Sequence, residues 1–262
     1  MNRIRSSQRV ALVCAIAVLL TASVYAGEIR VMTSGAFTAP YLELAPQFER
    51  TMKLKVVTVT TSMGVGADTI PNRVKRGEPV DVVILPEAAI DDLIRAGRIA
   101  AGTKTALARS AIGMAVRAGA PRPDISTVDG LKRALLNAKS VAYSSSVSGD
   151  YLVNELFPRL GIVNEMRIRG RRIEGERVGA VVARGDAEIG FQQVSELLPI
   201  AGIDYVGPLP PEVQRITTFA AAVVTSSSNR DIAGALIRHL ASPEAVAVIT
   251  KSGLEPLVLA HR

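Results

Sequence analysis

The apolar positions of this chain fall into short runs that alternate with amphipathic stretches. "EIRVM" (28–32), "KLKVVTVTT" (53–61) and "VDVVILP" (80–86) are rich in β-branched and aliphatic residues, the pattern of strands buried on both faces. Each leads through a Gly- or Pro-marked turn into residues at helical spacing: "YLELAPQFERTM" (41–52), a stretch closing at Lys75-Arg76-Gly77, and "AAIDDLIRAG" (88–97). Strands and helices in strict alternation predict a parallel sheet built from βαβ units.

The pattern changes at "RSAIGMAVRAG" (109–119), which reads as one long strand before the turn "APRPDIS" (120–126). A helix (128–138), the strand "SVAY" (140–143), a serine-rich segment and a helix at "YLVNELFPRLG" (151–161) follow. "VGAVVARG" (178–185) has helical spacing, whereas "AEIGFQ" (187–192) and "TTFAAAVVT" (217–225) have that of strands. Two helices close the chain, the second capped by Ser242-Pro243-Glu244, with Pro in the first turn where it is tolerated. The expected architecture is α/β with two lobes, each a mostly parallel sheet flanked by helices. Residues 27–108 and 216–262 form one lobe, 109–215 the other, and the ligand cleft lies between them.

Composition adjusts this picture at the N-terminus. Arg3, Arg5 and Arg9 precede a continuous apolar run from Val10 to Leu20, and Val24 and Ala26 stand at the −3 and −1 positions before Gly27. These are the charged, apolar and cleavage regions of a secretory signal peptide, predicting export to the periplasm with cleavage after Ala26, or earlier after Ala22. The single cysteine, Cys14, lies inside this segment. The mature chain is therefore expected to hold no disulfide, reactive thiol or Cys-based metal site. Loss of three arginines leaves 28 basic against 24 acidic side chains, a net charge of +4 in place of +7. No basic run is interleaved with aromatics, which argues against nucleic acid as a partner; a weakly positive field suits a small anion.

Three strand ends carry hydroxyls and glycine before a helix start: Thr33-Ser34-Gly35, Thr60-Thr61-Ser62 with Gly64 and Gly66, and Ser144 to Gly149. Free backbone N–H groups and the helix dipole make such ends anion sites. Ser and Thr are also ordinary caps, which would account for any one of the three alone. Within the serine segment, Ser148 and Gly149 are expected to touch ligand, with Ser144 to Ser146 shaping the turn. No His/carboxylate spacing suggests a metal, and "SMGVGAD" lacks the ending of a phosphate loop.

On these segments, together with "RGEPVDVVILPEAAIDDL", "VARGDAEIGFQQVSEL" and "HLASPEAVAVITKSGLEP", the chain resembles periplasmic solute-binding proteins of the molybdate-binding type along essentially its whole mature length. The resemblance implies the two-lobed, type II binding-protein fold, with Ser34 and Ser62 as hydroxyl ligands and backbone amides from the serine segment. The chain departs from that family where a Tyr ligand is usual, carrying Gln193 instead. It also carries Arg171, Arg172 and Arg177 near an aligned backbone ligand. Guanidinium groups suit carboxylates, which they meet with two parallel bonds.

In size, export and a pocket that diverges from the molybdate binders, the sequence resembles bacterial periplasmic aconitate isomerases, which share this fold and use no metal or organic cofactor. That resemblance implies a monomer that binds a tricarboxylate and interconverts trans- and cis-aconitate by a 1,3-proton shift. The alternative is the solute-binding subunit of an ABC transporter for molybdate or another small anion, with a permease as partner. The shift requires a base beside a CH2 group and donors for the charge that builds on the neighbouring carboxylate. Tyr143, Asp150 and Glu196 are the candidate bases. Each also has an ordinary structural role, as a strand residue or a first-turn acid. The expected binding residues are Ser34, Gly35, Ser62, Ser146, Ser148, Gly149, Gln193 and Arg109, the last at the crossing between lobes.

Overall fold

The computed structural model describes residues 27–59 and 66–257; the segment read as a signal peptide and Thr60, Thr61, Ser62 and Gly64 lie outside them. The chain begins β1 (Glu28–Thr33), α1 (Gly35–Met52), β2 (Lys55–Thr58), α2 (Ile70–Lys75), β3 (Val82–Pro86), α3 (Glu87–Arg95), β4 (Thr105–Ser110) and β5 (Ile112–Arg117). It continues α4 (Val128–Asn137), β6 (Val141–Ser144), α5 (Val147–Tyr151), α6 (Phe157–Leu160), α7 (Val163–Arg169), β7 (Gly170–Ile173), α8 (Val178–Arg184) and β8 (Ile189–Gln193). The last elements are α9 (Val194–Leu197), β9 (Ile203–Pro208), β10 (Thr217–Val223), α10 (Arg230–Leu240), α11 (Val246–Lys251) and β11 (Glu255–Pro256).

The strands form two sheets, in the orders β11-β4-β10-β3-β1-β2 and β7-β6-β8-β5-β9. The chain changes sheet between Ser110 and Ile112 and returns between Pro208 and Thr217. The segment read as one long strand is thus two strands in different sheets, with the break at Ala111. Periodicity continues through such a break because both halves are buried. Each sheet is mixed: β1 with β2 and β3, and β6 with β7 and β8, run parallel. The strands flanking the crossings, β4, β5, β9 and β10, pair antiparallel, because a chain that leaves a sheet and re-enters it has no crossover helix to restore its direction.

Strict two-residue alternation explains how the sheets bury both faces. In β3, Val82 and Ile84 face α1 and α10, whereas Val83 and Leu85 face α2 and α3. In β6, Val141 and Tyr143 face α4 to α6, whereas Ala142 faces α8. Gly190 of β8 permits the close seat of α8: a Cβ there would lie 2.6 Å from side-chain atoms of Val178 and Val182.

Two helices start earlier than the sequence pattern indicates. The first begins directly after Ser34 despite Pro40 and Pro46 within it. Phe37, Tyr41, Leu44 and Phe48 share its buried face, and that burial offsets the cost of the missing N–H groups. The second begins at Val147 and runs unbroken to Leu160, through a π-helical turn at Leu152–Leu156. Such wide turns concentrate near functional sites.

Candidate functional site

The carboxyl ends of β1, β3, β6 and β8 converge on a cavity of about 430 Å³ between the sheets, the position at which open α/β sheets hold ligands. From the first-sheet side it is walled by Ser34, Gly35 and Ala36 at the start of α1, by Thr69 to Asn72, and by Leu85 and Pro86. From the other side come Ser145, Ser146, Val147 and Asp150 at the start of α5, and Glu196 of α9. A larger depression of about 710 Å³ lies at the far end of the second sheet, against Arg117 and Glu188. It is lined from that lobe alone and meets none of these strand ends, so the smaller cavity is the chemically organised one.

Unpaired polar atoms mark it further. Among the described residues, the buried side-chain atoms without a hydrogen-bond partner are Ser34 Oγ, Ser145 Oγ, Gln192 Nε2, Gln193 Oε1, Ser195 Oγ and Ser242 Oγ. All but Ser242 belong to the strand ends around the cavity. Leaving such groups unsatisfied is costly, and the two unpaired serines that line the cavity, Ser34 and Ser145, come from opposite lobes. Neither Ser34 nor Ser146 caps its helix with its side chain, so the hydroxyl of Ser34 and the first amides of α1 stay available to a ligand.

The serine segment divides its labour differently from the expectation. Ser144 Oγ is 2.8 Å from Ser146 Oγ and 2.9 Å from Ser148 Oγ, so the buried Ser144 and Ser148 are tied to the half-buried Ser146 at the wall. Ser148 is 1% exposed and does not line the cavity. Gly149 packs beneath it: a Cβ there would lie 1.7 Å from the Ser144 carbonyl oxygen. Ser145 and Ser146 make the wall, and Ser148 and Gly149 support it.

The candidate acids and bases separate by environment. Glu196 is 3% exposed. Burial pushes its carboxyl up to about 7, although the Arg177 charge pulls the other way. Gln192 is held by the Val178 amide, which donates to its Oε1 at 2.9 Å. Asp150 faces the same cavity but pairs with Arg172, Nη2 to Oδ1 2.6 Å. Tyr143 lies in the hydrophobic core of the second lobe, its ring edge-on to Phe157 at 5.8 Å. Burial raises its pKa, partly opposed by Arg172.

Ser34, Gly35, Ser146, Asp150 and Glu196 are thus brought together at one cavity. Tyr143, Ser148, Gly149, Gln193 and Arg109 are not on its wall. Gln193 is buried below it, donating from Nε2 to Thr217 Oγ1 at 3.3 Å where the chain re-enters the first sheet. Arg109 projects from β4 to the surface and pairs with Glu255 at 3.1 Å; alternation along β4 turns it outward. Sequence reasoning passed over Ser145 as a ligand-facing group and did not single out Arg172. The first residue beyond a buried strand was the available signal for Ser145, as it was for Ser34. Among the described residues, no group of three His, Cys, Asp or Glu side chains could hold a metal ion.

A profile of the bacterial extracellular solute-binding protein family matches residues 29–255. A protein named aconitate isomerase from a Pseudomonas species is 44% identical over 228 residues, 87% of each chain. The molybdate-binding protein of Azotobacter vinelandii is 26% identical over 247 residues, 90% of this chain and 92% of that one. The solved structure of an Azotobacter vinelandii periplasmic molybdate-binding protein superposes with a TM-score of 0.67 at 20% identity, covering 89% of this chain and all of the other. A sulfate-binding protein from Mycobacterium tuberculosis H37Rv gives 0.71 at 19% identity, covering 88% and 87%. The fold is that of the two-lobed, type II periplasmic binding proteins, and the chain belongs to the bacterial extracellular solute-binding protein family.

Proposed function

We propose that this protein is an exported aconitate isomerase, and that Glu196 is its base. The observation that carries the assignment of the base is a buried carboxyl, raised to about 7, on the wall of a cavity whose other carboxylate, Asp150, is paired with Arg172. The 44% identity to a protein named aconitate isomerase supports the reaction. Residues 1–26 serve as the export signal and are removed.

Trans-aconitate brings three carboxylates, a methylene and a carbon–carbon double bond. Ionised Glu196 takes a proton from the methylene, and the C–H electron pair spreads through the double bond onto the carboxylate oxygens. The proton returns from Glu196 to the former vinylic carbon, the double bond moves by one position, and the carboxylate is restored. No oxidant or reductant enters. A base with a pKa near the working pH both accepts and returns a proton efficiently. The amides at the start of α1 and the hydroxyls of Ser34 and Ser145 supply donors where charge accumulates. Incubation of purified protein with trans-aconitate, followed by chromatography, should yield cis-aconitate.

A second reading, the solute-binding subunit of an ABC transporter, is favoured by the neutral hydroxyls of Ser34 and Ser145 facing the cavity from opposite lobes. These would suit a tetrahedral oxyanion. Tight molybdate binding by calorimetry without turnover of trans-aconitate would establish that reading and remove the isomerase.

A further inference from the structure

Asp150 puts a negative charge on the wall of a cavity whose other features favour an anion. What holds it there is a single guanidinium. Arg172 Nη2 lies 2.6 Å from Asp150 Oδ1 and 3.4 Å from the Ser145 carbonyl oxygen. The two side chains are 36% and 48% exposed, and pairs so open to water contribute little to stability. Ser145, whose carbonyl is beside Arg172, also presents the unpartnered buried hydroxyl on the cavity wall. Arg172 is not itself on the cavity wall, so a ligand carboxylate reaches the guanidinium by taking the place of Asp150, and the planar fork fits a carboxylate with two parallel bonds.

We propose that Asp150 is a built-in stand-in for a substrate carboxylate, and that Arg172 is the residue that selects carboxylate ligands. In the structure Asp150 occupies the guanidinium. On binding, a carboxylate of the ligand replaces it and Asp150 turns toward solvent. The inference rests on the tricarboxylate reading above, and it gives the two partners of one salt bridge opposite effects on binding. Loss of Arg172 removes the donor that holds the ligand carboxylate, whereas loss of the Asp150 charge removes a competitor and a repulsion.

The test uses tricarballylate, the saturated tricarboxylate, which has no double bond to move, with calorimetric titration of the full mature chain. Arg172→Gln should weaken binding about 10- to 100-fold, the scale of a lost charge-assisted hydrogen bond. Arg172→Lys, which keeps the charge without the fork, should fall between that variant and the wild type. Asp150→Asn should tighten binding about 3- to 10-fold, and in the Arg172→Gln background it should give a smaller gain. Asp150→Asn binding that is unchanged or weaker would overturn the proposal, because a purely structural salt bridge moves both variants the same way. Wild-type protein that binds no tricarballylate would also overturn it. The signs of the variants decide the exchange whether or not the wild type turns over trans-aconitate, so failure of the isomerase reading stays separable.

Discussion

Two carboxylates face one cavity, and their surroundings are opposite. Asp150 sits half-exposed in the first turn of α5 with a guanidinium at 2.6 Å. Glu196 is buried at the start of α9, with Arg177 acting on it only at longer range and no salt bridge among the described residues. Pairing with Arg172 fixes the position of the first; desolvation makes the second reluctant to ionise. On the roles proposed above, the same chemical group stands in for a ligand carboxylate on one wall and transfers a proton on the other, and ion pairing against burial makes the difference.

The most severe way to break the contrast is Glu196→Gln, which should lower kcat on trans-aconitate by about 10³-fold or more, measured by chromatographic assay. A variant retaining a tenth of wild-type activity would move the base elsewhere. The pH profile sharpens the same point. Since the ionised form accepts the proton, kcat/KM should rise about tenfold per pH unit below about 7 and level off above it. A profile flat from pH 5 to 8 would detach Glu196 from the reaction.

Binding-wall changes come next. Ser34→Ala and Ser145→Ala should each raise KM about 10-fold, as expected for loss of one donor to a charged group, with kcat less affected. Stability offers an independent check on burial. The folded-state pKa of Glu196 is raised above the ordinary carboxylate value of 4.5, so its favourable contribution is complete below that value and is lost as pH rises through about 7. Above that, ionising the buried group costs about 3 kcal/mol at most. Glu196→Gln should therefore melt higher than wild type at pH 8, with the gap closing by pH 5. The smallest effect belongs to Arg109→Ala, which removes a surface pair with Glu255. Kinetics within about twofold of wild type are expected, since such pairs are worth little.

Much of the fold was legible because burial on both faces of β1, β3 and β10 writes itself as apolar runs bounded by Gly and Pro. The break at Ala111 was not, since β4 and β5 are both buried and nothing in their sequence records a change of sheet. Ser34 could be read as the residue where β1 becomes α1. The four hydroxyls from Ser144 to Ser148 could not be ranked, because which of them faces the ligand depends on which are spent on one another through Ser144. Glu196 could be read as an acid at a helix start. Its burial, which gives it chemistry, comes from long-range packing around the β8 end.

The π-helical turn at Leu152–Leu156 sets the phase between two jobs done by one helix. On its cavity side Asp150 meets Arg172, and next to it the Tyr151 hydroxyl donates to the Val213 carbonyl at 2.7 Å. Beyond the turn, Phe157 and Leu160 anchor the helix in the core of the second lobe. The turn carries about one residue more per circuit than ordinary winding, so deleting a single residue there would restore an α-helix and leave Asp150 and Phe157 nearly in phase. The same deletion in a regular part of the helix would rotate the first segment by about 100° against the anchored one. Asp150 and Tyr151 would then lose their alignment together, though neither had been changed. The wide turn is thus the place in this helix where a single-codon deletion can be absorbed without turning the cavity wall.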